Sequence, residues 1–394
     1  MTLARPPGTP AAPAQAQPSG PPIKVMIVDD SVFMRGILSK WLGESGEFTV
    51  VGTHPNGRRA ADDVQSSQPD VVILDLEMPD MDGLTALPLI LERKANTAVL
   101  VASALSRRGA EVSLRALTLG AADYLPKPDS ARGPVAAEEF RAELLAKARS
   151  LGQRVRRRSM PRPPVGSTAG TAASPAPAPA APKIPGLGKA DGKLRAYSRM
   201  PPGIVAIGSS TGGPQALTKL FSDIGPSLGR VPVLVVQHMP ATFTAILAEH
   251  IARASGRRCA EGRDGEDLVA GQIYVAPGGL HMDVVQSGGV SRIRLLDTAP
   301  VNFCKPAVDP MFESVAGIYG AAALGIVLTG MGSDGARGAL KIADLGGSII
   351  AQDEESSVVW GMPGATAAIG ACAGILPITE IGPKVNRMLT GGRE

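Results

Sequence analysis

Aromatic residues are scarce in this chain, at 3% of 394 residues. Its cores must therefore be built from Val, Leu, Ile and Ala, and a hydrophobic content of 44% supplies them. Strong charge of one sign is also missing. Forty basic residues against 36 acidic ones leave a formal charge of +4, too mild a balance to imply nucleic acid. No apolar run approaches the roughly 20 residues that a membrane helix needs, so no direct membrane insertion is expected. The three cysteines, Cys259, Cys304 and Cys372, show neither metal spacing nor a pairing pattern. A reducing cytoplasm fits them. The four histidines are equally scattered, which argues against a zinc cluster. Residues 1–22 are rich in Pro, Ala and Gly and hold no hydrophobic segment, so they read as a disordered tail and not as a secretory signal. The length points to two domains.

What the chain does have is alternation. Ile23–Val28, Val50–Val51, Val71–Leu74, Ala98–Ala102 and Ala121–Leu125 read as strands. Val32–Leu42, Arg59–Gln65, Leu84–Leu91, Glu111–Leu119 and Phe140–Leu151 read as helices, with Pro88 implying a kink or a late start in the third. The pattern predicts a doubly wound parallel sheet. In such sheets function collects at the carboxyl ends of the strands, and Asp29, Asp30, Asp75, Ser103 and Lys127 all fall there. Carboxylates brought together repel unless a cation joins them. Oxygen ligands that leave room for water suit Mg²⁺. A carboxylate beside such an ion and a lysine can take a phosphoryl group as an acyl phosphate.

Val28-Asp-Asp-Ser31, Leu74-Asp-Leu-Glu-Met-Pro-Asp-Met-Asp-Gly83 and Lys127-Pro128 resemble the receiver domain of two-component response regulators. The resemblance implies Asp75 as phosphoacceptor and Asp29, Asp30, Asp75 and the Glu77 carbonyl as Mg²⁺ ligands. It puts Ser103 at the switch hydroxyl and Lys127 at the phosphate-pairing lysine, and implies a histidine kinase as phosphoryl donor. The boundaries read as 23–145 for this domain and 146–201 for a linker rich in Pro and Ala, too poor in apolar residues to fold. The basic run Arg154–Arg158 reads as a solvated helix end.

The second domain, 202–385, reads as mostly parallel α/β, with a hairpin around Gly288-Gly289. Its Ile204–Ile207 strand runs into Gly208-Ser-Ser-Thr-Gly-Gly213 and then Pro214, a strand, tight turn and helix that suit an anion or a serine nucleophile. Ser209/Ser210, His238 and Asp334 each lie just beyond the end of an apolar strand. If those strands are parallel neighbours, the three share one rim, and they are the residue types of acyl transfer.

Ile207-Gly-Ser-Ser-Thr-Gly-Gly213, Gln237-His-Met-Pro240, Ala276-Pro-Gly278 and Leu328-Thr-Gly-Met-Gly-Ser-Asp-Gly335 resemble the catalytic domain of the chemotaxis protein-glutamate methylesterases. That resemblance implies Ser210 as nucleophile, His238 as general base, Asp334 as its orienting acid and the Met331 N–H as oxyanion donor. It implies hydrolysis of glutamate methyl esters on the cytoplasmic helices of chemoreceptors, deamidation of selected glutamines there, and no cofactor in the esterase site. The chain departs from the family at Asn302-Phe-Cys-Lys-Pro306, where many members carry Asn-Arg-His-Arg-Pro. Cys304 reads as a small semi-buried residue with no histidine paired to it. A monomer is expected. A DNA-binding second half and a scaffold with a degenerate site are the competing classes. The absence of a basic helix-turn-helix pattern counts against the first, and an inert Ser210→Ala comparison would favour the second.

Overall fold

The computed structural model describes residues 21–127, 133–159 and 194–391. Nearly all of the expected tail and most of the expected linker, its Ala-Pro repeat included, lie outside the described residues.

In the first domain the strands are β1 (Ile23–Val28), β2 (Phe48–His54), β3 (Val71–Asp75), β4 (Ala98–Ser103) and β5 (Asp123–Pro126). They form one parallel sheet in the order β2-β1-β3-β4-β5. The central strands β3 and β4 are buried throughout, as a sheet covered by helices on both faces requires. The helices are α1 (Val32–Glu44), α2 (Gly57–Ser67), α3 (Gly83–Arg93), α4 (Arg107–Thr118) and α5 (Gly133–Ser159). Four of them start on side-chain caps, from Ser31, Asn56, Asp82 and Ser106. Pro88 sits inside α3, which starts at Gly83 and so does not begin late.

Two stretches placed in the linker are ordered instead. Residues 146–159 continue α5, because Leu144, Ala148, Leu151 and Val155 keep an apolar stripe buried at helical spacing. Gly152 lets that helix lie close to β1, since a Cβ there would come within 2.5 Å of the Ile23 side chain. Residues 194–201 run along the second domain, with Arg195 N donating to Cys372 O at 2.8 Å and Ser198 Oγ to Ala321 O at 2.7 Å.

The second domain holds a seven-stranded parallel sheet in the order β14-β13-β12-β6-β7-β9-β8. Its strands are β6 (Ile204–Ser209), β7 (Val233–Gln237), β8 (Cys259–Glu261), β9 (Ile273–Val275), β12 (Ala323–Val327), β13 (Ser348–Gln352) and β14 (Gly374–Leu376). An antiparallel hairpin, β10 (His281–Ser287) and β11 (Val290–Leu296), turns at Gly288 and Gly289, both left-handed. The helices are α6 (Gly213–Ile224), α7 (Ala241–Ser255), α8 (Val308–Tyr319), α9 (Ala336–Asp344), α10 (Met362–Ala368) and α11 (Ile378–Thr390). Strands β12, β6 and β7 are immediate neighbours, so their carboxyl ends share one rim.

The domains share a core. Leu114, Leu117 and Tyr124 of the first belong to one apolar cluster with Leu217, Phe243 and Leu247 of the second. Tyr124 stacks on Phe243 with ring centroids 4.6 Å apart. Gln215 Nε2 donates to Leu117 O at 2.9 Å, and Arg107 pairs with Glu249 at 3.0 Å. The basic run on α5 ends exposed, as expected of a solvated helix end, and its last two arginines also reach the second domain. Arg157 pairs with Glu354 at 2.7 Å, and Arg158 donates to the Glu355 carbonyl at 2.9 Å.

Gly83 gives a test of the first domain. A Cβ there would lie 2.2 Å from the Asp75 carbonyl oxygen, a backbone atom that has no room to give. Gly83→Ala should lower stability by about 1–3 kcal/mol through overpacking. Thermal unfolding would show this as a fall in midpoint.

Candidate functional site

The rim of the second domain is built from strand ends. Ser209 closes β6 and is buried, and its Oγ is 2.7 Å from Gln237 Oε1. Ser210 follows on the turn and is half-buried. The ambiguity between the two serines is thus a difference of environment. Ser209 is spent inside the fold, and Ser210 stands at the surface. Gly330 lies against Ser210, where a Cβ would approach the Ser210 Cβ to 2.9 Å. Gly213 N, in the first turn of α6, donates to Ser210 O at 2.7 Å.

His238 follows β7. Its Nε2 is 2.8 Å from Asp334 Oδ2. Asp334 is 2% exposed and collects three further donors. Val308 N reaches Oδ2 at 2.6 Å, Asp309 N reaches Oδ1 at 3.2 Å, and Asn302 Nδ2 reaches Oδ1 at 3.0 Å. Two of these come from the first turn of α8, whose positive end favours an anion. Burial pushes the Asp334 carboxyl up, but His238 and the N–H donors win and hold it below the usual carboxylate range. On His238 burial disfavours the charge, yet the bonds to Asp334 and Cys304 outweigh it and raise the pKa to about 10.

Cys304 departs from the sequence reading. Its Sγ is 3.3 Å from His238 Nδ1, so a histidine is paired with it after all. The two residues are separated by 66 positions, and only the turn from Val301 to Cys304 brings them together. Met331 lies at the same rim, with Sδ 3.6 Å from Ser150 Oγ of α5. Asn302 and Asp309 were also missed. Asn302 Nδ2 bridges Asp334 and Asp309, the latter at 3.0 Å. No spacing rule flags either residue.

The acid pocket of the first domain forms as the strand ends imply. Lys127 Nζ lies 2.8 Å from both Asp29 Oδ2 and Asp75 Oδ2. Burial pushes the Asp75 carboxyl up despite Lys127. Burial opposes the Lys127 charge, but the two carboxylates outweigh it and push its pKa up. Carboxylate oxygens of Asp29, Asp30 and Asp75 lie within 4.8 Å of one another, an all-oxygen donor set that suits a hard cation such as Mg²⁺. Glu77 N donates to Asp75 Oδ1 at 3.5 Å, and its exposed side chain faces Arg108. The Ser103 hydroxyl is 2.5 Å from that of Ser113, on α4.

A two-domain α/β protein in which a domain with a receiver-type acid pocket packs, through α4 and β5, on a domain with a hydrolase-type rim is the class this fold and these sites define. Residues 205–385 match the family model for CheB methylesterase, and residues 25–135 match that for the response regulator receiver domain. A protein-glutamate methylesterase/protein-glutamine glutaminase of group 2 operon from Rhodopseudomonas palustris is 51% identical over 375 residues, covering 94% of this chain and 95% of that protein. One of the same name from Bradyrhizobium diazoefficiens is 51% identical over 378 residues, with the same coverage. The crystal structure of the Thermotoga maritima CheB methylesterase catalytic domain is 37% identical, with a TM-score of 0.46, covering 48% of this chain and 100% of that one. The chain belongs to the protein-glutamate methylesterase/protein-glutamine glutaminase family.

The thiol on His238 should be selectively reactive. Burial pushes Cys259 and Cys372 up to about 12, so both stay protonated at pH 8. Iodoacetamide at that pH should label Cys304 first, placing a bulky group against His238 Nδ1. Peptide mapping by mass spectrometry checks the order of labelling.

Proposed function

We propose that this chain is a phosphorylation-regulated hydrolase. It removes methyl esters from glutamate residues of chemoreceptors and deamidates selected glutamines. The observation that carries the reading is the rim itself, with Ser210 half-buried at the end of β6 and His238 held on Asp334 at 2.8 Å. Ser210 Oγ attacks the ester carbonyl, and His238 takes its proton. The Met331 N–H, with the start of α6, faces the developing oxyanion. His238 then returns the proton to the leaving methanol, and water releases glutamate from the acyl-enzyme. Asp334 occupies Nε2, so Nδ1 is the nitrogen that must serve the serine. Cys304 holds that nitrogen at rest, and substrate has to bring Ser210 to it.

The first domain supplies the control. A histidine kinase donates the phosphoryl group to Asp75. Asp29, Asp30, Asp75 and the Glu77 carbonyl would hold Mg²⁺, which would supply charge neutralisation for that transfer. The new phosphate oxygens compete for the Ser103 hydroxyl, which now meets Ser113 on α4. Helix α4 packs on α6 and α7, and α5 touches Met331 through Ser150. A shift of α4 therefore acts on α6 and α7, the helices that follow Ser210 and His238 in the chain.

The Cys304 contact supports a second reading, in which the thiol attacks. Methanol release from methylated receptor membranes separates the two. Ser210→Ala should reduce it by roughly 10⁴-fold or more if the serine attacks. Retained release in that variant, with loss in Cys304→Ala, would favour the thiol. A small phosphodonor with Mg²⁺ should raise release only when Asp75 is present. Arg107→Ala removes an exposed, solvent-screened interdomain pair. Unphosphorylated release should then rise modestly.

The pH profile follows from His238. A general base must be neutral to accept a proton, and a raised pKa means that the neutral fraction grows as pH rises. With His238 at about 10, kcat/KM should climb through pH 7–9 instead of levelling off near neutrality. Asp334→Asn removes the carboxylate that favours the imidazolium, so the inflection should move down. Initial rates on a small, pH-stable ester substrate check both.

A further inference from the structure

The turn that brings Cys304 to His238 has an unusual tip. Val301 and Cys304 exchange backbone hydrogen bonds, N to O at 3.1 Å and 2.9 Å. The two residues between them, Asn302 and Phe303, have φ of 52° and 64°. This is a two-residue hairpin turn with both central residues left-handed, a conformation that ordinarily takes Asn-Gly. Asn302 fits it and uses its side chain to bridge Asp334 and Asp309. Phe303 does not fit. A bulky side chain disfavours left-handed backbone, and the fold gains no burial from this ring, which is 104% exposed. The tip is nevertheless firmly placed, because one neighbour is tied to Asp334 and the other to His238. The next residue, Lys305, turns back to pair with Asp297, so the tip presents an apolar ring and not a charge.

We propose that Phe303 is a substrate-contact residue, an apolar anchor that packs on the protein surface around the scissile ester and helps to select which glutamyl ester enters. The proposal rests on the reading of the rim as a protein-glutamate esterase site. A glutamyl ester stands only a short side chain above its own backbone. To place its carbonyl on Ser210, the substrate's surface must come down onto the rim, and Phe303 stands on that rim. An aromatic ring gives much contact area for little loss of rotamer freedom. The matching surface carries an apolar side chain close to the esterified glutamate.

Phe303→Gly tests this without breaking the turn, because glycine accepts left-handed backbone freely. Its thermal midpoint should equal or exceed that of the unaltered protein. Two substrates are compared, methylated receptor in membranes and a small soluble glutamate γ-methyl ester. The ratio of kcat/KM for the protein ester to that for the small ester should fall by about tenfold or more, the scale for losing one buried aromatic contact. The loss should lie mainly in KM, and Phe303→Leu should recover part of it. An unchanged ratio in Phe303→Gly, with both esters still hydrolysed by the unaltered protein, overturns the proposal alone. Failure of the unaltered protein to hydrolyse either ester overturns the esterase reading and this proposal with it.

Discussion

A single buried carboxylate ties the rim of the second domain together. Asp334 receives hydrogen bonds from His238, Asn302 and two N–H groups of α8, so the end of β7, the 301–304 turn and a helix terminus meet on one residue. An ionised carboxylate out of water is costly unless donors replace the lost solvation. Here four donors do so, and the same four fix where the surrounding elements sit. Orientation of the imidazole is therefore a by-product of satisfying a charge. The glycines nearby serve the same end. Gly335 is left-handed just after Asp334, and its missing Cβ leaves room for Val308, whose N–H is one of the donors.

The join between the domains poses a different energetic question. Tyr124 and Phe243 stack inside a core common to both domains, and both are buried. Full separation would expose all of that apolar surface, at about 25 cal/mol for each square ångström. One phosphate can shift an equilibrium only by its differential affinity for the two states. A rearrangement local to α4 and its polar contacts asks far less of the phosphate than an undocking that bares Phe243. The exposed pair of Arg107 with Glu249 is the part of the interface that can exchange with water cheaply.

Much of this arrangement was legible in the sequence because it rests on local rules. Runs of Val, Ile and Leu marked the parallel strands, and strand ends marked Asp29, Asp75, the pair Ser209/Ser210, His238 and Asp334. Adjacency of β12, β6 and β7 was needed for the rim, and the sheet supplies it. What escaped was either very short or nonlocal. Strands β8 and β14 have three residues each, too few to show a period. Helices α10 and α11 follow the last strand recognised. The end of α5 was hidden by a basic run that looked solvated, although its arginines reach the second domain. The Cys304–His238 contact depends on a turn whose left-handed residues, Asn302 and Phe303, carry no glycine to announce it.

That turn also shows why the same three rim residues need not mean the same enzyme. Three consecutive positions do three separate things. Asn302 faces Asp334, Phe303 faces solvent, and Cys304 faces His238. The resemblance noted in the sequence implies that many family members have Arg at the second and His at the third. A guanidinium at the tip would offer charge where this chain offers an apolar ring. An imidazole at the third position would meet His238 with a second titratable nitrogen where this chain has a thiol. Neither exchange replaces Ser210, His238 or Asp334. Each alters a different quantity, the exposed tip of the turn in one case and the group beside His238 Nδ1 in the other. On the proposed reading, specificity and pH response can thus vary while Ser210, His238 and Asp334 stay the same.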